Sequence, residues 1–191
     1  MYNTYYGVIV ANVTLSTAQN ETVYAYNEFE NASGNLFFVR SGSNIEFTAL
    51  KALGKTTTGL NTSNDFSDAD ALLNMTGFND CVNARWADNT DRPSAFTTIT
   101  IYGTNVTGIP IIDSDSSGNF VTGILWDSSK DASDNTEYDQ TDKEPLVFIT
   151  MINQDAPSDY GIQDYVAEVP ALLRSYAGSE DSTITVYYEI Q

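Results

Sequence analysis

The stretch Pro145-Leu-Val-Phe-Ile-Thr-Met-Ile-Asn153 decides the fold. From Leu146 to Ile152 it is apolar at nearly every position, so an extended segment here is buried on both sides. A strand covered on both faces lies in the middle of a sheet, and a run this short reads as a strand when turn residues bound it. The rest of the chain is therefore read as elements assembled around it.

Downstream, Ile162, Val166, Val169, Leu173 and Tyr176 fall at helical spacing, with Gly178 as a stop. This predicts a helix over 158–177, the longest in the chain, kinked or split at Pro170. Residues 183–190 alternate cleanly and predict a closing strand with Ile184, Val186, Tyr188 and Ile190 turned inward.

Upstream, 5–15 and 21–29 are rich in β-branched and aromatic residues and read as strands. Segments 36–40 and 44–50 read as the arms of a hairpin around Ser41-Gly42-Ser43, the second with Ile45, Phe47 and Ala49 on its buried side. Strands follow at 96–102, 106–112 and 120–126, and Pro110 marks the middle one as an edge or bulged strand. The fold class expected is all-β: a mostly antiparallel β-sandwich of about eight to ten strands, a jelly roll fitting that number, with one or two short helices.

With 191 residues, the chain is read as one β-sandwich domain spanning 1–191. It carries a loop and short-helix insertion at about 54–92 and an acidic loop at about 128–144. In the insertion, Ser67 is placed to cap a short helix over 67–75, with Asp68 and Asp70 where the helix dipole favours anions.

Composition excludes several chemistries. The chain has no histidine, which removes Ser-His-Asp and Cys-His catalysis and imidazole metal sites. Cys81 is the single cysteine, so neither an internal disulfide nor a multi-cysteine zinc site can form. It reads as a small residue in or near the core. Net charge is −18, and the eight basic residues are scattered. Nucleic-acid affinity comes largely from phosphate neutralisation, so no direct nucleic-acid binding is expected, and an anionic membrane surface would repel the chain. No apolar run approaches the roughly 20 residues of a membrane helix, and the N-terminus lacks a basic-then-apolar leader pattern.

Few residues point to a site. Asp113, Asp115, Ser117 and Gly118 match the start of a calcium loop, and Asp127 on the neighbouring strand is the expected helper. The match ends at Ile124, where such a loop needs a bidentate Glu, and a plain Asp/Ser/Gly turn explains the same residues. Six Asn-x-Ser/Thr sequons, at Asn12, Asn20, Asn31, Asn61, Asn74 and Asn105, allow a secreted glycoprotein. Tyr2, Tyr5, Tyr6, Tyr24, Tyr26, Trp86 and Trp126 read as exposed aromatics that suit sugar rings or subunit interfaces, with ordinary packing the default in an all-β chain of twelve tyrosines. Asp164 and Glu168 would share a helix face, which a solvated acidic surface explains better than a glycosidase pair.

The expected function is a non-enzymatic structural subunit of an ordered assembly: a virion protein such as a capsid, decoration or tail component. Its partners would be copies of itself and other assembly subunits, without membrane insertion, and no cofactor is expected beyond the Ca²⁺ candidate above. Two alternatives stay open. One is a secreted or cell-surface β-domain, a filament subunit or adhesin outside the cell. The other is a carbohydrate-binding module using Trp86 or Trp126 as its platform.

Overall fold

The computed structural model describes residues 2–9, 13–16, 22–26, 33–40, 42–54, 64–87, 96–132, 137–139, 141–142, 144–170 and 184–191. Thirteen strands are described: β1 (Tyr2–Gly7), β2 (Val13–Ser16), β3 (Thr22–Tyr26), β4 (Gly34–Arg40), β5 (Leu50–Ala52), β6 (Phe96–Ile101), β7 (Thr104–Asp113), β8 (Val121–Asp127), β9 (Leu146–Met151), β10 (Ala156–Ser158), β11 (Gly161–Gln163), β12 (Tyr165–Pro170) and β13 (Ile184–Ile190). Two helices, α1 (Asp65–Leu72) and α2 (Val82–Trp86), lie between β5 and β6. The ladders among these strands are antiparallel, so the all-β expectation with few short helices holds.

The main sheet runs β13-β4-β9-β8-β7-β6, with β5 paired to β8 beyond the end of β7. β9 is central, flanked by β4 and β8, and buried from Leu146 to Thr150. Alternation along three neighbouring strands divides their side chains between two cores. Phe37 and Val39 of β4, Leu125 of β8, and Val147 and Ile149 of β9 point to an inner core. Leu36 and Phe38, Ile124 and Trp126, and Leu146 and Phe148 point the other way, to an outer core.

The inner core closes because the sheet curls. β6 and β7 bring Ile99, Ile101 and Ile109 over it, joined by Leu50 and Ala52 of β5. The curl has two local causes. Thr107 and Gly108 of β7 face Thr98 alone, a bulge with Gly108 at φ 70°, two residues before Pro110. Gly123 leaves room for the crossing, since a Cβ there would stand 2.8 Å from Ile109 Cγ2. Polar side chains tie the curled ends together: Asn35 Nδ2 donates to Thr100 O at 2.8 Å, and Tyr102 N donates to Glu189 Oε1 at 2.7 Å. Phe47 fills the mouth of the curl, its ring 5.0 Å from Phe37, 5.5 Å from Tyr102 and 5.2 Å from Tyr187.

The outer core is covered by the β1–β12 ribbon and the helical insertion, so the second layer is composite rather than a second full sheet. Ala167 and Val169 come from β12, Phe66 and Ala69 from α1, and Val82 and Trp86 from α2. Hydrogen bonds fix the ribbon to the sheet: Thr150 Oγ1 donates to Val166 O, and Glu168 N donates to Thr122 Oγ1. Buried aspartates dock the insertion. Asp65 Oδ2 accepts from Gly54 N at 2.9 Å, and Asp70 accepts from Val82 N and Asn83 N at the start of α2. Such acceptors matter because an unpaired backbone N–H away from water costs about 1–3 kcal/mol.

Four local expectations are corrected. The helix over 158–177 is absent from its described part, where 158–170 form β10, β11 and β12; 171–177 lie outside the described residues. The apolar spacing there came from a strand buried on both faces, Val166 on one and Ala167 and Val169 on the other. β1 supplies the hydrogen-bonding partner, and Pro170, which has no N–H to give, ends the strand opposite Tyr2. The longest described helix is therefore α1, within the insertion, and not one near the C-terminus.

The hairpin of 36–40 with 44–50 does not form, because β4 is already paired on both edges by β9 and β13. The alternation read over 44–50 is nevertheless real: Ile45, Phe47 and Ala49 are half-buried while Asn44, Glu46 and Thr48 are exposed. The helix in the insertion starts earlier than Ser67, with Asn64 before it and Ser67 Oγ donating back to Asn64 O. The inward row of β13 holds only at Ile184, which packs against the outer core. Val186, Tyr188 and Ile190 are 47%, 68% and 36% exposed, whereas Tyr187 packs on the inner core. Past Ile184 the outer face of β13 lies beyond the cover that the ribbon and helices provide, and pattern alone cannot reveal where a cover stops.

Candidate functional site

The four calcium candidates do not converge. Asp113 ends β7 opposite Val121, and Asp127 ends β8 six residues further along, about 20 Å away at the rise of a strand. Asp127 is fully buried and has structural duties: its Oδ2 accepts from Glu46 N at 2.9 Å and its Oδ1 from Ser129 N at 3.0 Å. Asp115 and Ser117 form a side-chain-bonded turn. Asp115 Oδ1 accepts from Ser117 N at 3.1 Å and from Ser117 Oγ at 2.7 Å, and Ser117 Oγ accepts from Asn119 N.

The structure instead gathers acids from the two ends of the 128–144 loop. After β8, Ser128–Lys130 make one 3-10 turn, and the chain returns to β9 through Glu144 and Pro145. Asp131, Asp142 and Glu144 each bring a carboxylate oxygen to one point, all within 4.8 Å of one another. Asp139 shapes the approach, since its Oδ1 accepts from Thr141 N and Asp142 N. Glu144 lies two residues before the central strand, and entry into the core buries it completely. Its Oε2 accepts from Asp139 N at 3.4 Å, while Oε1 has no hydrogen-bond partner among the described residues.

Beside this cluster stands Tyr138, 1% exposed, with its ring 6.0 Å from Trp126 in an edge-on contact. Its hydroxyl also lacks a partner among the described residues. Burial, then the charges of Glu144, Asp68, Asp65 and Asp139, hold it well above the ordinary tyrosine range. Burial likewise pushes Glu144 up to about 7, with Asp139 and Asp142 adding repulsion against the backbone hydrogen bonds that oppose it. Asp68 is raised by burial and by Asp139. Carboxylates that crowd one another in this way form an anionic, hard-oxygen site.

A pH dependence follows. The ordinary value of Glu144 is 4.5 and its folded value is about 7, so between them the folded chain keeps a proton that the unfolded chain releases. Stability from this group is therefore full below about pH 4.5 and lost as pH rises through 7. In chelator-treated protein, urea titrations from pH 5 to 8 are expected to show Glu144→Gln gaining on wild type as pH rises. A constant difference between the two would contradict the assignment.

The remaining sequence candidates are placed as follows. Trp86 and Trp126 are fully buried, so neither is the exposed platform expected of it. Tyr6 is 49% exposed and stacks on Tyr160 at 4.3 Å, while Tyr2 and Tyr5 are half-buried against the outer core. The side chains of Tyr24 and Tyr26 are outside the description. Asp164 is a buried knot, not a solvated acid: its Oδ2 accepts from Ile9 N and its Oδ1 from Asp155 N. Glu168 pairs with Arg85 at 2.5 Å, and Arg85 lies 4.6 Å over the Tyr2 ring. Cys81 is half-buried, and its Sγ accepts from Ala84 N at the start of α2. Asn74 and Asn105 are exposed; the other four sequons lie outside the described residues.

The fold and site together define a mostly antiparallel β protein with a curled sheet, a helical insertion over one face, and a carboxylate cluster at the entry to its central strand. Compared with family models, with curated proteins and with solved structures, the chain finds no match in any of the three.

Proposed function

We propose that the protein is a non-enzymatic structural subunit of an ordered assembly, a virion component of the coat, decoration or tail kind. The observation that carries this reading is β13. It ends the strand order of the main sheet, and its uncovered face presents Val186, Tyr188 and Ile190 to solvent in one row. An apolar row on a terminal strand invites pairing or packing with another chain, and natural proteins usually blunt such strands with charge. Here Glu189 is the only charge in the strand, and it is turned to the inner side, bonded to Tyr102 N and Asn35 Nδ2.

Other features support the same reading. The chain lacks histidine, and its one cysteine caps a helix. A net charge of −18 suits a surface that does not hold the genome, such as an outer layer or a conduit wall. Among the described residues no helix is long and apolar enough to cross a membrane. Burial of Trp86 and Trp126 removes the platform on which the carbohydrate-binding alternative rested.

Sedimentation over a range of protein and salt concentrations tests the proposal. Wild type is expected to form a discrete higher-order species. Tyr188→Asp, at a site 68% exposed, is expected to shift it towards monomer while changing unfolding free energy by no more than about 0.5 kcal/mol. A wild-type protein that stays monomeric throughout would overturn the assembly reading.

A further inference from the structure

We propose that Asp131, Asp142 and Glu144 form a calcium site that clamps the 128–144 loop to the entry of the central strand. The proposal does not depend on the assembly reading. Three carboxylates come to one point, their oxygens within 4.8 Å of one another. Oxygens bound to one Ca²⁺ at 2.3–2.6 Å stand at most about 4.6–5.2 Å apart, so this spacing fits a single ion. Mg²⁺ dehydrates reluctantly and is usually held by one or two carboxylates with several waters, so three converging carboxylates favour Ca²⁺.

Crowded acids alone are common on protein surfaces, and two further observations separate this group from them. Glu144, a member of the converging set, is fully buried, and its Oε1 has no hydrogen-bond partner among the described residues. Tyr138, outside the set, is 1% exposed with an unpartnered hydroxyl and lies within electrostatic reach of Glu144. A buried carboxylate oxygen without a donor is costly, and cation binding is one of the few ways to satisfy it. A hydrated ion also brings water that the Tyr138 hydroxyl can bond. Asp139 is already committed to Thr141 N and Asp142 N, so it orients the loop and is not counted as a ligand.

The site joins the two ends of one connection. Asp131 follows the end of β8, while Asp142 and Glu144 precede β9, so a bound ion fastens the connection between two adjacent central strands. Tyr138 carries the same fastening to Trp126 in the outer core.

The test is calorimetric titration of chelator-stripped protein with CaCl₂ in 0.15 M salt, with MgCl₂ in parallel. One site with Kd in roughly the micromolar to millimolar range is expected. Glu144→Gln and Asp142→Asn should each weaken it at least tenfold, whereas Asp115→Asn should leave it unchanged. Terbium substituted for calcium should show emission sensitised through Tyr138 and Trp126, displaced by Ca²⁺ and lost in Asp142→Asn. Asp142 is half-buried, so this variant keeps the test open if Glu144→Gln fails to fold. Three results would each overturn the proposal: no binding at 10 mM Ca²⁺ (a ceiling of roughly tenfold above the millimolar limit), weak many-site binding that these variants leave intact, or binding lost in Asp115→Asn instead.

Discussion

Replacing Trp126 by alanine is expected to lower the unfolding free energy by about 3–5 kcal/mol, the range for removing a large aromatic from a tightly packed core. Trp126 is fully buried on the outer side of β8, opposite Leu146 of β9 and Lys51 of β5. Its ring meets Tyr138, which in turn borders the carboxylate cluster. The lost side chain leaves a cavity between the central sheet and the returning acidic loop, and Tyr138 loses the wall that positions it. Equilibrium urea unfolding monitored by circular dichroism measures the loss. Trp126→Phe keeps part of the ring contact and should cost clearly less. A Trp126→Ala protein within about 1 kcal/mol of wild type would mean that the loop and sheet do not pack as described.

Gly34→Ala is the second large effect, expected at about 3 kcal/mol and directed at one strand. Gly34 begins β4 with φ at +138°, a backbone region that L side chains rarely adopt. A Cβ there would stand 1.9 Å from Glu189 O and 2.9 Å from Glu189 C, both backbone atoms of β13 that have no rotamer to change. Either β4 or β13 must move, and among the described residues β13 pairs with β4 alone. Hydrogen exchange should therefore show the amides of 184–190 losing protection before those of β9. If β13 carries assembly, the same variant should also sediment as smaller species. Gly42→Ala serves as the control: φ is +85° but nothing lies within 4 Å of its Cβ, so it reports backbone strain without a clash. Its cost should be about 1 kcal/mol. Equal losses for the two glycines would remove the steric argument.

Different residues were legible to different degrees. Leu146 to Met151 could be placed from their letters, because a short run with no polar face has to be covered on both sides. Tyr165–Pro170 is also buried on both faces, and over a few residues that imitates helical spacing. The discriminating signals were present: β-branched Val166 and Val169, and a proline that sits badly inside a helix. The carboxylate cluster was only half-legible. An acidic loop before the central strand was evident, but which acids meet depends on Asp139 bending the chain between Tyr138 and Asp142. Asp113 and Asp127 looked like neighbours because their strands pair, yet an antiparallel hairpin sends the end of β8 away from the turn.

The sequence by itself determined the strand-rich class, the central place of β9, the absence of imidazole chemistry and of an internal disulfide, and the alternation of 184–190. Those follow from residue types and local periods, which act within a few positions of the chain. Only the tertiary structure decided which face of β13 is covered, that β1 turns 165–170 into a strand, that Trp86 and Trp126 are buried, and that Asp131 meets Asp142 and Glu144. The physical reason is that a period states which side chains share a face, while what lies against that face is supplied by segments distant in the chain.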